Sequence, residues 1–419
     1  MQGFAAKKAN AGFVLLGVYA SLIPFQLPWL PITLFMLLYC LYWLLSNNWQ
    51  ARIRNWKDNR WALLMPVFFA YHLIALSYSP VSENGLKDVV LKIPMIVWPL
   101  VLVGTAGIQE LKRQTILKIF KWAAVLSLSY CLITSLISYL AYPSHHVFYM
   151  EELVDYKFIP PHYLGLYLNF AYGLSWQQFI GKQTKPAFHW ILVLFIGTGL
   201  VLISVRSQIL IFSLLTIFFA FSWLKRRMAT GPAVLLSAGL CGLFLVLGLS
   251  LPGSRKRIED TVNELKSFEK VINNKQTNPR KYLWTASLSV IRERPWLGTG
   301  PGAENLALNR QLAKQPVQFW DGTKTYFLHE QGFNYHNAYL QHWASLGLPG
   351  LLFLVALLLY PFLAWRRCSA EFRLLSIICL LSFSTESMLQ RQAGVLFFSF
   401  FYALLFAMPT PSRGRNFVN

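Results

Sequence analysis

Acidic side chains are scarce: 17 Asp and Glu stand against 38 Lys and Arg in 419 residues. All charged residues together make 13% of the chain, about half the share of an ordinary soluble domain. That shortage excludes a disordered chain and a typical soluble enzyme. Cysteine is sparse as well. Cys40, Cys131, Cys241 and Cys379 lie in apolar runs, Cys368 lies in a short basic loop, and no CxxC pair occurs. Neither a disulfide nor a structural zinc is expected. No Walker motif is present, so ATP is not the driving substrate. His329-Glu330 runs on into Gln331, Gly332 and Phe333, which is not HExxH, and His329, His336 and His342 lack the i,i+4 spacing of helical metal ligands. Gly298-Thr299-Gly300-Pro301-Gly302 lacks GxGxxG spacing and reads as a turn. Carboxylates are nearly missing from the apolar runs, and Lys92 is the main ionisable group in the fourth, 88–106. That argues against an ordinary proton- or sodium-coupled carrier.

What the chain does contain is apolar length. Hydrophobic residues make 55% and aromatics 16%, with a mean hydropathy of +0.43. Twelve candidate spans lie at 11–25, 29–46, 61–78, 88–106, 119–141, 160–180, 187–204, 207–224, 232–251, 345–365, 371–386 and 393–409. Lys7 and Lys8 precede the first, and no small-residue cleavage site follows it, so it reads as a span rather than a removed signal. With twelve spans, Lys7/Lys8, Arg52/Arg54/Lys57/Arg60, Lys112/Arg113/Lys118/Lys121, Lys182/Lys185, Lys225/Arg226/Arg227, Arg366/Arg367/Arg373 and Arg413/Arg415 all fall on one face. The other face carries Glu83/Asp88 and Glu151/Glu152/Asp155. Basic residues accumulate in cytoplasmic loops, which puts both termini in the cytoplasm. The net charge of +21 is therefore membrane topology, and no nucleic-acid partner is expected. The expected fold is an all-α integral membrane protein with about 12 transmembrane helices and one large, partly helical external loop. Its parts are 1–251 (helices 1–9), 252–344 (the loop, carrying site residues) and 345–419 (helices 10–12).

The spacing predicts helices in that loop over Ile258–Ile272, Lys281–Arg294 and Glu304–Lys314, broken at Pro295 and the glycine cluster. Three groups are candidates for chemistry. Arg206 interrupts two apolar runs at the external end of span seven, where it is either a functional charge or a snorkelling interfacial side chain. Arg280 opens the loop's central helix, with a solvated charge as the competing reading. His336 stands where the loop returns to the membrane, in Asn334-Tyr335-His336-Asn337-Ala338-Tyr339-Leu340-Gln341. It is suited to taking a proton near neutral pH, or to a purely structural hydrogen bond. Glu386 and Arg391 flank the last external turn, where they can pair with each other or orient the site.

His336-Asn337-x-Tyr339-Leu340 followed by Gly347-Leu348-Pro349-Gly350 resembles the O-antigen ligase/polymerase family. So does Arg280-x-x-Leu283-Trp284 running to Pro295-x-x-Gly298-x-Gly300-x-Gly302, with Ser-x-Arg206-Ser before it. The resemblance covers roughly residues 190–350, and the first 180 residues match only in hydropathy. It implies a bacterial inner-membrane glycosyltransferase with its active site on the periplasmic face, taking a glycan from undecaprenyl diphosphate. The acceptor would be the lipid A–core for a ligase, or another glycan for a polymerase of O-antigen or exopolysaccharide. His336 would be the catalytic base, and Arg206 and Arg280 would bind the diphosphate, with Asn337, Tyr339, Glu386 and Arg391 in support. No metal or other cofactor is implied. A protein O-glycosylating ligase shares the same core. A lipid-linked glycan transporter is disfavoured, because charges gather at the external ends rather than along the spans.

Overall fold

The structure is a computed structural model and describes residues 2–25, 29–45, 49–105, 110–154, 159–249, 279–314, 318–320 and 325–406. The expected helix at 258–272, Asp155 and the terminal pair Arg413/Arg415 lie outside the described residues.

The described residues are helical almost throughout. The first block runs α1 (Gln2–Leu22), α2 (Trp29–Leu45), α3 (Trp49–Asp58), α4 (Leu64–Leu76), α5 (Ser82–Leu91) and α6 (Pro94–Gly104). It continues through α7 (Glu110–Ala141), α8 (Met150–Val154), α9 (Pro161–Ile180), α10 (Pro186–Ile203), α11 (Arg206–Leu224) and α12 (Thr230–Leu249). Next come α13 (Arg280–Glu293), α14 (Glu304–Lys314) and an antiparallel ribbon of β1 (Gln318–Trp320) and β2 (Thr325–Phe327). The described chain closes with α15 (Ala338–Leu363), α16 (Ala370–Phe383) and α17 (Gln392–Phe406).

Each of the twelve apolar runs holds helix. Among the described residues, four helices are long and apolar enough to cross a membrane: Lys112–Ala141, Pro186–Ile203, Arg206–Leu224 and Ala338–Leu363. The bent pair Pro31–Leu45 and Trp49–Asp58 makes a fifth if it is one span. The run at 88–106 is not one helix. Pro94 supplies no N–H to a preceding turn, so α5 stops at Leu91 and α6 restarts at Pro94. Lys92 caps α5 and is buried in an ion pair with Asp88, so the two charges of that run satisfy each other. The run expected to start at 345 starts at Ala338 instead, because Asn337 caps it: its side chain accepts from the N–H groups of Tyr339 and Leu340. Gly347, whose backbone is non-helical, then divides α15 into two helical segments joined at a kink.

Helix α9 sits at the centre, buried along nearly its whole length and packed by α7, α10, α11 and α16. The outward faces of α2, α7, α10, α11 and α12 are apolar as well: Leu41, Ile137, Ile191, Phe218 and Leu235 are all exposed. In water such faces would aggregate, whereas in hydrocarbon they are solvated. The fold is that of a multi-pass membrane protein. A second, smaller core lies apart from the main one. It is built on Leu283, Val290 and Ile291 of α13, Leu308 and Leu312 of α14, and Tyr335. The expected helices at 281–294 and 304–314 are α13 and α14, and this core is what their apolar faces bury.

Two glycines seat this small module on the bundle. Gly298 has φ +71°, and Gly347 has φ +69°. A Cβ at 347 would fall 2.0 Å from the carbonyl oxygen of Trp296. Gly347→Ala should therefore destabilise the protein by at least about 1–3 kcal/mol from backbone strain alone. Thermal unfolding in detergent measures this, and an unchanged melting temperature would contradict the close approach.

Candidate active site

The loop before α15 is shaped by its own side chains. Asn334 Oδ1 accepts from the N–H of His336 at 2.9 Å, an Asx turn. His336 sits at φ +44°, a left-handed conformation that an ordinary residue holds only when its surroundings impose it. The surroundings here are the turn after α16. Asn337 donates through Nδ2 to the carbonyl of Ser384 at 3.0 Å, and its backbone N–H reaches Ser387 Oγ at 3.3 Å. Tyr339 donates its hydroxyl to the carbonyl of Leu380 at 2.9 Å. Asn337 and Tyr339, read from sequence as support, are thus ties that dock one segment on the other.

That docking brings His336 Nδ1 to 3.0 Å from the Glu386 carboxylate. An ionised carboxylate only accepts, so Nδ1 carries the proton and Nε2 is the basic nitrogen of the neutral ring. Arg280 Nη2 lies 3.9 Å from the same carboxylate. It is brought there because Trp284, one turn further along α13, donates its indole N–H to the carbonyl of Tyr335. Side-chain exposure is 25% for His336, 12% for Glu386 and 37% for Arg280. The carboxylate is covered, while the two groups facing it stay reachable. Burial pushes the Glu386 carboxyl up. The hydrogen bond from His336 and the charges of His336, His162 and Arg280 together outweigh that and hold it below the usual carboxylate range.

Arg206 opens α11 where the chain breaks from α10 through Ser204, at φ +57°. Two residues on, the buried Gln208 donates to Ser382 Oγ at 3.1 Å and accepts from Asn169. This knot of α9, α11 and α16 puts Arg206 at the end of the bundle where α16 finishes just before Glu386. Arg391 does not pair with Glu386, whose ion-pair partners are His336 and Arg280. It acts instead on His162 and Tyr163, at the start of α9. His162 is the site residue that sequence reading missed, and Glu386, His336, Arg280 and Arg391 all bear on it electrostatically. Its only signal was a polar residue opening an otherwise apolar helix. Among the described residues, no group of three or more His, Cys, Asp or Glu is placed to hold a metal ion.

A basic imidazole oriented by a carboxylate, with a guanidinium beside it at one end of an apolar helical bundle, defines a membrane protein equipped for proton transfer next to an anion. Residues 191–355 match the family model described as O-antigen ligase. The match holds Arg206, Arg280 and His336 and stops short of Glu386. No curated protein matches the chain.

Because the folded Glu386 carboxyl titrates below its unfolded value, its contribution to stability is complete above the ordinary carboxylate range of about pH 4.3. It is lost as the pH falls through the lowered value. Wild type should therefore lose melting temperature on acidification from about pH 6 to about pH 3 more steeply than Glu386→Gln. Parallel melting curves for the two would contradict the pairing.

Proposed function

We propose that this protein is an inner-membrane glycosyltransferase that moves a glycan from undecaprenyl diphosphate to an acceptor hydroxyl, by O-antigen ligation to the lipid A–core. The observation that carries the reading is the His336–Glu386–Arg280 cluster, on an apolar helical bundle whose matched segment is of the O-antigen ligase family. The glycan is already activated, so the chemistry needs neither a nucleotide nor a metal. His336 Nε2 takes the proton of the acceptor hydroxyl as its oxygen bonds to the anomeric carbon. The bond from that carbon to the diphosphate oxygen breaks, and its electron pair leaves with the diphosphate. Glu386 holds the ring in the working tautomer and stabilises the imidazolium that forms. Arg280 and Arg206 neutralise the charge gathering on the leaving group. Attack from the face opposite the diphosphate inverts the anomeric configuration.

In this reading the chain crosses the membrane twelve times with both termini in the cytoplasm, and residues 252–344 form the periplasmic loop. The sorted basic residues support it. The same loop is mildly basic, which suits an anionic core acceptor.

The test is complementation of a deletion strain, with lipopolysaccharide gels and an immunoblot for lipid-linked glycan. A ligase predicts bare lipid A–core and accumulating long lipid-linked chains in the deletion, with rescue by wild type. His336→Ala should lower transfer by about 10²–10⁴-fold. Arg280→Ala and Arg206→Ala should each lower it by about 10²–10³-fold, as for loss of one charge-stabilising donor, at normal protein levels. Single-repeat glycans in the deletion would identify a polymerase. Full rescue by all three variants would overturn the residue assignments.

A further inference from the structure

A buried carboxyl outside the His336 cluster touches both segments that carry it. Glu304 opens α14 and is 2% exposed. The glycine turn before it fixes its place. Thr299 N–H donates to the Ala344 carbonyl at 2.8 Å and Gly300 N–H to the Ser345 carbonyl at 2.9 Å, while Ser79 Oγ donates to the Pro301 carbonyl at 2.8 Å. This is the structural work of the glycine cluster, and it drives the first residue of α14 between the bundle and the loop. There, Glu304 Oε1 accepts from Gln390 Nε2 at 3.0 Å and from Gln341 Nε2 at 3.4 Å. Its backbone carbonyl accepts from the hydroxyl of Tyr335 at 2.9 Å. Tyr335 precedes His336, Gln341 lies five residues beyond it, and Gln390 closes the turn that holds Glu386. The other carboxyl oxygen, Oε2, is buried and has no side-chain hydrogen-bond partner among the described residues.

A buried carboxyl is costly, and its place in the first turn of α14, beside the backbone N–H groups of Gly302 and Glu304, offsets only part of that cost. Leu308 and Leu312 already anchor α14. What the carboxyl adds is a bridge. His336 and Glu386 are 50 residues apart in sequence, and their spacing depends on how the loop before α15 sits against the turn after α16. Glu304 pins both from beneath. We propose that Glu304 is a positioning residue for the His336–Glu386 pair, acting through Gln341 and Gln390 as a clamp on the two segments. The inference rests on the proposed transferase reading for its effect on rate, though not for the clamp itself. Asp88 and Lys92 act on Glu304 electrostatically, and His72 and His342 act in turn on Asp88. Burial, with the Asp88 charge behind it, pushes the carboxyl up to about 7. A glutamine, neutral and of the same shape, can offer the same acceptor oxygen.

The test uses the full-length protein in detergent or nanodiscs. Amide hydrogen exchange is followed over 334–341 and 384–391, and transfer kinetics are run with lipid-linked glycan as donor. Glu304→Ala should speed exchange in both segments and lower kcat by about tenfold or more, since a small misplacement costs that much. The fall in kcat should exceed any rise in donor KM, because the clamp sets the His336–Glu386 spacing, which acts on the chemical step. Glu304→Gln should restore both readouts, and Gln390→Ala, which cuts the clamp from the other side, should repeat the loss. The exposed Glu293→Ala, in the same module, should leave both readouts unchanged. Unchanged exchange and kcat in both Glu304→Ala and Gln390→Ala would overturn the proposal, as would a Glu304→Gln as defective as the alanine. If wild type transfers no glycan, the function reading fails, and exchange alone decides the clamp.

Discussion

The hydrogen bond between His336 Nδ1 and the Glu386 carboxylate is the contact on which the site depends. It fixes the tautomer of the ring, so it decides which nitrogen can accept a proton. It also explains why a residue other than glycine holds a left-handed conformation at 336: Asn334, Asn337 and Ser387 hold the backbone on either side. Arg280 joins the pair only because α13 is pinned by Trp284 to the carbonyl next to His336. A loop module, a helix cap and a turn between two helices thus converge on one carboxylate.

The bilayer explains why the site lies at an end of the bundle. Apolar side chains cover the outward faces, so charge is carried at helix ends or in buried pairs such as Lys92 with Asp88. At a helix end the chain also escapes the requirement that every backbone group be bonded within its own helix. The turns there supply the directed carbonyl and N–H groups that hold His336 and Glu386. The same end gathers the starts of α9 and α11, which bring His162 and Arg206.

Much of this was legible in the sequence, for physical reasons that differ by element. Helix α13 could be read because Leu283, Ala286, Val290 and Ile291 recur at helical spacing on one face. The apolar runs located helices but not their breaks. Hydropathy stays high through Ile93 and Pro94, and only the missing N–H of Pro94 divides α5 from α6. The start of α15 was read seven residues late, because its first turns, capped by Asn337 and carrying Gln341 and His342, are too polar to register as an apolar run. Glu386 was visible as a charge flanking the last external turn, while His336 and Arg280 stood out through the family resemblance of the motifs that hold them. Their pairing was not visible, since the choice of His336 over Arg391 as partner for Glu386 is made by Asn337 docking across 47 residues on Ser384. His162 and Glu304 went unnoticed as site elements for the same reason, because each matters only through contacts distant in sequence.

The most direct measurement of the central claim is a double-mutant cycle on glycan transfer, comparing His336→Ala, Glu386→Gln and the two combined. If Glu386 works by orienting and charging His336, the double variant should be no slower than His336→Ala alone. Losses that simply multiply would mean that the two residues act independently, and would contradict the account.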